Sequence, residues 1–413
     1  MKARVKTVFF LAILFVMLMP SVSAQNNAQI SGYITIWEHN YSYKDSLEAV
    51  INAFRKRYPD VEIEYVIKPY GDYDDLLKLA IQAGSGPDLF WTNGTATSTM
   101  GELVEAGVCL DLSDVVDFGF LSNNVLDLGK IGNHIYSVPW MTMDTRTCYY
   151  NKEMFTENGW DVPKTLGEFE NLLVTIKEKG ITPISLGSDS WCILFIFEPV
   201  LAAYDPIYCA AFQEENVSIT DKPARETLNL LVKWAENGYF GDDWLTIADS
   251  DVQNFSFATE KTAMTVAGSW DAVVINKNNP MLNFGAFSIP SDDGTTGLVG
   301  TAANGFSVNS NSKSIDAAIA FANFCAGEEA QTIWIQTLGA VPGNDQIQAS
   351  TNIAKEIAES GKGNVYKSWQ SVLSHQSPSG EAFSIYERDI LKVFLREITV
   401  DDFMDSIAAA IVS

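Results

Sequence analysis

The sequence predicts an α/β protein of more than one domain, built on parallel, doubly wound sheet. Three observations carry that prediction. Residues 33 to 91 alternate strand and helix patterns as β-α-β-α-β, a spacing that favours parallel pairing. The chain has 413 residues, and the 389 left after a 24-residue leader exceed what one core usually serves. No Pro-rich linker, short repeat or low-complexity tract divides it, so the chain is expected to cross between two domains more than once, and such crossings act as hinges.

The elements follow in order. Lys2, Arg4 and Lys6 precede an apolar run from Val8 to Met19, then Pro20 and the small residues Val22-Ser23-Ala24. This is the pattern of a cleavable secretory signal, too short for a stop-transfer helix, with Gln25 as the expected mature N-terminus. YITIW (33–37) is β-branched and aromatic, as a strand should be. In KDSLEAVINAFRKRYPD, Leu47, Val50, Ile51, Phe54 and Tyr58 share one helical face, and Pro59 stops the helix. VEIEYVI (61–67) alternates apolar with Glu62 and Glu64. GDYDDLLKLAIQAG carries acids in its first turn and ends at Gly84, the pattern of a second helix. Leu89-Phe90-Trp91 is a short buried strand.

Further on, IYSVPW (135–140) is a strand, and RTCYYNKEMF passes from strand to helix. Thr165 with Glu168 three residues later forms a capping box ahead of a helix that ends at Gly180. TAMTVAG (262–268) and FGAFSIP (284–290) are strands. Helical patterns then cover Ile315–Cys325, Glu328–Thr337, Ile353–Ser360, Ala382–Arg396 and Asp401–Val412.

Beyond the leader, 24 Lys and Arg face 52 Asp and Glu, a balance that argues against nucleic-acid and anionic-membrane partners. Cys109, Cys148, Cys192, Cys209 and Cys325 form no CxxC pair, and His39, His134 and His375 are scattered, so neither a metal site nor a redox motif is expected. No GxSxG, HExxH, Walker loop or GxGxxG appears, and neither a catalytic residue nor a cofactor is assigned.

In open α/β sheets, ligands bind beyond the carboxyl ends of strands. Four such ends pair an indole with polar groups: Trp37-Glu38-His39-Asn40, Trp91-Thr92-Asn93, Trp140 to Asp144, and Gly268-Ser269-Trp270-Asp271. Rings and carboxylates together suit sugars. A pyranose has an apolar C–H face that stacks on an indole, and hydroxyls that must be answered by hydrogen bonds once buried. They also suit cations, and Glu38 with Asp144 could in principle form an acid/base pair on a glycoside. Trp160, Trp234, Trp244 and Trp334 are assigned to the core or ordinary surface, and Asp88 to ordering its loop.

The segments AFRKRYPDVEIEY, IQAGSGPDLF, IYSVPW, YYNKEMF, FSFATEKTAMTVAGSW, GAFSIP and AIAFANFCAGEEAQ, with GAVP after it, are each weak signals but specific in this order. In them the chain resembles the extracellular solute-binding proteins of ABC importers, the sugar-binding group that includes maltose-binding protein. The resemblance implies a two-lobed periplasmic-binding-protein (Venus-flytrap) fold, each lobe a mainly parallel sheet flanked by helices. Lobe 1 would be 25–142 and 287–325, and lobe 2 145–284 and 327–413, with crossings near 142–144, 285–287 and 326. It further implies a monomer that captures a carbohydrate between the lobes and delivers it to membrane ABC permease subunits, without inserting in the membrane or performing chemistry. With no lipid-attachment Cys near the cleavage site, a periplasmic location is expected.

The ligand residues implied are Trp37, Glu38, His39 and Asn40 after the first strand, Trp91 and Asn93 after the third, Asp144, Trp270, Asn304 in GTAANGFSV, and Tyr386, with Phe383 beside it. Residues 91–100 depart from the maltose-type pattern, which argues against maltose itself. Two alternatives stand beside the sugar reading: a binding protein for a cationic solute such as a polyamine or betaine, and a secreted glycoside-cleaving enzyme.

Overall fold

A computed structural model describes residues 30–69, 72–212, 217–302, 305–343, 346–377 and 380–412. The expected leader, residues 1–24, lies outside the described residues. In chain order the strands are β1 (Gly32–Glu38), β2 (Val61–Ile67), β3 (Leu89–Trp91), β4 (Lys130–Ile131), β5 (His134–Ile135), β6 (Val138–Pro139), β7 (Met143–Asn151), β8 (Thr182–Ser185), β9 (Thr262–Gly268), β10 (Phe284–Phe287), β11 (Leu298–Ala302), β12 (Gly305–Val308) and β13 (Val365–Tyr366). No helix among the described residues is long and apolar enough to cross a membrane.

Lobe 1 is a five-stranded sheet of order β2-β1-β3-β12-β6. Its first three strands pair parallel, as the β-α-β-α-β spacing requires, and β12 runs antiparallel to both β3 and β6. Along β1 the pleat buries Ile34, Ile36 and Glu38 on one face and leaves Tyr33, Thr35 and Trp37 on the other. The helix Lys44–Arg57 packs Leu47, Val50, Ile51 and Phe54 into the core, the stripe read from its periodicity. Asp88 ties the start of β3 to its surroundings: its carboxylate accepts from the Thr35 amide (2.8 Å) and from Ser312 Oγ (2.6 Å).

Lobe 2 is built round the nine-residue β7, which pairs antiparallel with β9, β10 and β11, while β8 and β13 add parallel pairs. This sheet is therefore more mixed than expected. The long strand that carries the chain out of lobe 1 runs against its neighbours. The helix Ser190–Tyr204 lies in the middle of this lobe. It is buried almost all round, from Cys192 to Ala203, which is the signature of a core helix rather than a surface one. The capping box before Leu166–Glu178 forms with one shift. Thr165 Oγ1 accepts the Glu168 amide at 3.0 Å, and the Glu168 carboxylate accepts the Lys164 amide at 2.8 Å, one residue before the cap. All five cysteines are buried and free.

The sheets divide the chain differently from the expected boundaries. The crossing at 142–144 agrees, since β6 belongs to one sheet and β7 to the other. The second crossing is not at 285–287: β10 and β11 both pair with β7, and the chain returns to lobe 1 only between Ala302 and Gly305. The third is not at 326. The helix Glu328–Leu338 puts Trp334, Ile335 and Leu338 into the lobe 1 core, and the chain leaves near 341–343. The three crossings lie side by side. Thr142 bridges Pro342, Ala302 pairs with Met143, and the Met143 amide donates to the Val341 carbonyl at 2.8 Å. The C-terminal boundary was misread because a helix pattern shows which face is apolar, not which core receives it.

Candidate ligand-binding cleft

One cavity of about 950 Å³ opens between the lobes. Lobe 1 lines it with the turn after β1 (His39 to Lys44), the end of β2 and its exit (Tyr65 to Pro69), and Trp91, Asn93 and Thr97 beyond β3. Lobe 2 contributes Asp144 and Arg146 from β7, Asp189, Trp191 and Phe195 at the start of the buried helix, Asp249–Asp251, Trp270–Asp271 after β9, and Gln370. Strand carboxyl ends from both sheets thus face a common space, as open α/β sheets favour.

Each wall is shaped by short-range contacts. After β1, Glu38 is buried and its carboxylate accepts the Asn40 amide at 2.7 Å, while Asn40 Oδ1 accepts the Ser42 amide at 2.9 Å. Those two bonds fold the turn that presents His39, Asn40 and Tyr43. After β3, the Trp91 indole N–H donates to Asn93 Oδ1 at 3.2 Å. Behind it stand Tyr43 (5.1 Å between centroids), Phe306 (5.6 Å) and Trp334 (6.3 Å). Trp91 is only 2% exposed, so it touches the cavity along one margin.

After β9, Gly268 lets the Trp270 ring fold back over the backbone. A β-carbon there would overlap the indole. Trp270 is half-buried, edge-on to Phe195 at 5.6 Å. The Gly268 amide donates to Asp271 Oδ2 at 3.0 Å, which holds the turn. Asp189 and Asp249 cap the helices that follow them, accepting from the Trp191 and Val252 amides at 2.8 and 3.0 Å.

The cavity is rich in carboxylates, and burial disfavours their charge. It pushes Asp271 up to about 7, against the opposing Gly268 hydrogen bond. It pushes Asp144 up to about 6, against the pull of the Arg146 charge. Asp144 also joins the lobes: its Oδ2 accepts from Tyr43 Oη at 3.3 Å, and its Oδ1 accepts from Thr142 Oγ1 at 3.2 Å. A second, exposed contact between the lobes sets Lys277 Nζ 3.5 Å from Asp45. Among the described residues, no group of His, Cys, Asp and Glu is arranged to hold a metal ion.

Of the residues expected from sequence, His39, Asn40, Trp91, Asn93, Asp144 and Trp270 come together on this cavity. Three do not line it. Trp37 lies on the outer face of the β1 pleat, with Lys68 Nζ 3.9 Å above its ring. Glu38 is consumed in the turn just described. Tyr386 is buried in lobe 2, donating to the Ser190 carbonyl at 2.8 Å and packed on Trp369 and Phe403. Trp140 is likewise core, stacked at 4.1 Å on Trp334. Asn304 lies outside the described residues. Missed from sequence were Tyr41, Lys68, Arg146, Trp191, Phe195, Asp189, Asp249 and Asp251, while Asp271 was noted beside Trp270 at a strand end but not taken as a ligand residue. The acids at helix starts carried a legible capping signal, but capping gives no hint of a shared cavity.

Two α/β lobes joined by three adjacent crossings, with a polar and aromatic cleft between them, define a protein of the two-lobed solute-binding class. Residues 41–332 match the family described as bacterial extracellular solute-binding protein, and the chain belongs to that family. It is 26% identical over 287 residues to the multiple sugar-binding protein of Streptococcus mutans serotype c, covering 68% of this chain and 67% of that one. The fold is shared with a chitin oligosaccharide binding protein (TM-score 0.77, 22% identity, 93% of this chain and 100% of that one). It is shared also with the binding protein RafE in complex with raffinose (TM-score 0.73, 22% identity, 92% and 99%).

Proposed function

We propose that this protein captures a carbohydrate, an oligosaccharide by the size of the cleft, and delivers it outside the cytoplasm to an ABC-type permease. The observation that carries this reading is the convergence of Asn93 from lobe 1 with Trp270, Asp144 and Asp271 from lobe 2 on one cavity of about 950 Å³, with an edge of Trp91 at its margin. An indole face stacks on the apolar side of a pyranose, and carboxylates and amides accept or donate to its hydroxyls. The relatives named for sugars support the same class. Ligand held by one lobe completes its hydrogen bonds when the other closes, so it stabilises the closed state by its differential affinity.

The magnitudes are consistent with a site of more than a few groups. Two charge-assisted hydrogen bonds at ~1.5–3 kcal/mol and two ring stacks at ~0.5–1.5 kcal/mol reach ~4–9 kcal/mol. Micromolar affinity needs about 8 kcal/mol before ordering costs. The additional polar groups of lobe 2 are therefore needed.

The test is calorimetry or thermal shift against neutral oligosaccharides, uronates, polyamines and betaines. Saturable binding of neutral sugars is expected. One observation favours a cationic solute instead: five aspartates (144, 189, 249, 251, 271) line the cleft against three cationic side chains. Stabilisation by amines alone would replace the sugar reading. Sustained release of new reducing ends from oligosaccharides would replace the binding role with an enzymatic one.

A further inference from the structure

Arg146 stands apart from the other polar groups of the cleft. It lies on β7, is only 7% exposed, and still lines the cavity. Its guanidinium sits over the Phe195 ring at 4.6 Å and the Trp270 ring at 5.5 Å. On its inner side, Nε lies 3.1 Å from Glu198 Oε2, and Glu198 is 1% exposed on the buried helix Ser190–Tyr204. The other Glu198 oxygen accepts the Gln370 amide at 3.0 Å, so that carboxylate is anchored independently of the arginine.

The two terminal nitrogens of Arg146 make no hydrogen bond to another described residue and keep access to the cavity, whereas Nε is buried. A guanidinium carries five N–H donors, and a ligand that shuts solvent out of the cleft without supplying acceptors would leave the terminal ones unpaired at a cost. A ligand oxygen in the cavity would answer that cost. The remaining charges nearby are Asp144 and Asp271, whose fields reach Arg146.

Resting on the carbohydrate reading above, we propose that Arg146 is the donor with which lobe 2 reads the ligand. Glu198 is its positioning residue, and the pair selects neutral polyhydroxylated ligands over cationic solutes. The two rings, themselves edge-to-face at 5.6 Å, pack together against the guanidinium and limit how far it can swing in the cleft. Glu198 balances the arginine charge from below, so the ligand need not bring an anion. A permanent cation in the floor repels a protonated amine that the surrounding aspartates would otherwise attract. An acceptor hydroxyl beside an aspartate that takes a second hydroxyl is the arrangement that a vicinal diol fits.

The experiment compares wild type, Arg146→Gln, Arg146→Lys and Glu198→Gln, with spermidine and glycine betaine set against a panel of neutral oligosaccharides, all by calorimetry. The double variant Arg146→Gln with Glu198→Gln leaves no uncompensated buried charge, and so keeps the test available if Glu198→Gln fails to fold. Arg146→Gln is expected to weaken sugar binding about 10- to 100-fold while amine binding appears or strengthens. Glu198→Gln should weaken sugar less, and Arg146→Lys should keep amines out while recovering only part of the sugar affinity. A merely structural role would lower both ligand classes together and would leave selectivity unmoved. Wild type that binds sugar, with Arg146→Gln within about twofold of it, would overturn this inference and leave the sugar reading standing. Wild type that binds none of the sugars would remove the sugar reading itself.

Discussion

Trp91 closes β3 in lobe 1, Trp270 stands two residues past the end of β9 in lobe 2, and the cleft touches both. They nonetheless do different things. Trp91 has its indole N–H satisfied by Asn93 and is walled in by Tyr43, Phe306 and Trp334. Trp270 folds over a glycine, stays half-buried, and has Phe195 and Arg146 at its flank. The difference teaches that a strand end with a ring is only an offer of a surface. What packs behind the ring decides whether it becomes core or ligand platform.

The sharpest way to break that contrast is to truncate both rings. Trp91→Ala should cost about 3–5 kcal/mol of stability, the range for emptying a large core site. Chemical denaturation should show this as a lowered midpoint at constant slope. Trp270→Ala should leave the midpoint nearly unchanged and weaken sugar binding by about 2 kcal/mol, roughly 30-fold, read by calorimetry. An equal loss of stability in the two variants would abolish the distinction.

Gly268→Ala acts on Trp270 without touching ligand. A β-carbon there overlaps the indole, so the ring must leave its place. Affinity should fall towards that of Trp270→Ala, with a shifted indole emission in the free protein. Unaltered binding would show that the glycine has no part in placing the ring.

A smaller effect concerns pH. Asp271 keeps its proton up to about 7 in the folded protein, above the ordinary carboxylate range, because burial opposes its charge. The folded state therefore binds more protons than the unfolded one between about 4 and 7. Its contribution to stability is fully present below about 4 and is lost as pH rises through about 7. Asp144 acts in the same direction, with a window that ends at about 6. Melting temperature should decline across this window, and Asp271→Asn should flatten the decline. A slope unchanged in the variant would assign the pH response elsewhere.

The smallest expected effect is at the outer edge of the cleft. Lys277→Ala removes an exposed contact with Asp45 between the lobes. Such pairs contribute about 0–1 kcal/mol and are screened by salt. Any change in ligand affinity should disappear at high ionic strength, whereas a salt-independent loss would mark Lys277 as a ligand contact.

Much of the fold was legible because its signals are local. The apolar stripe of Lys44–Arg57, the alternation in β2, the Thr165 cap and the ring-bearing ends of β3 and β9 each depend on residues a few positions apart. The strand β11 was not anticipated, and the C-terminal lobe boundary was placed too early. Both depend on which distant strand or core receives a segment, and periodicity does not record this. Among residues lining the cleft, His39, Asn40, Asn93 and Trp270 could be picked out because they follow strands, Trp91 because it closes one, and Asp144 from the segment 140–144 and the family resemblance. Arg146 lies inside a strand and Asp189 reads as a helix cap, so their sequence context describes another role.

Alongside the two-lobed class, which the family resemblance implied, the sequence by itself determined the helices and strands with a local pattern and the strand ends at which a ligand could sit. Those properties follow from backbone propensity, side-chain period and capping, which act within a turn or two of chain. Only the tertiary structure decided that Trp37, Glu38 and Tyr386 serve the scaffold while Arg146 faces the cleft over Glu198, fifty-two positions away. Burial and hydrogen-bond satisfaction are properties of neighbours in space, and the three crossings between the lobes bring those neighbours from distant parts of the chain.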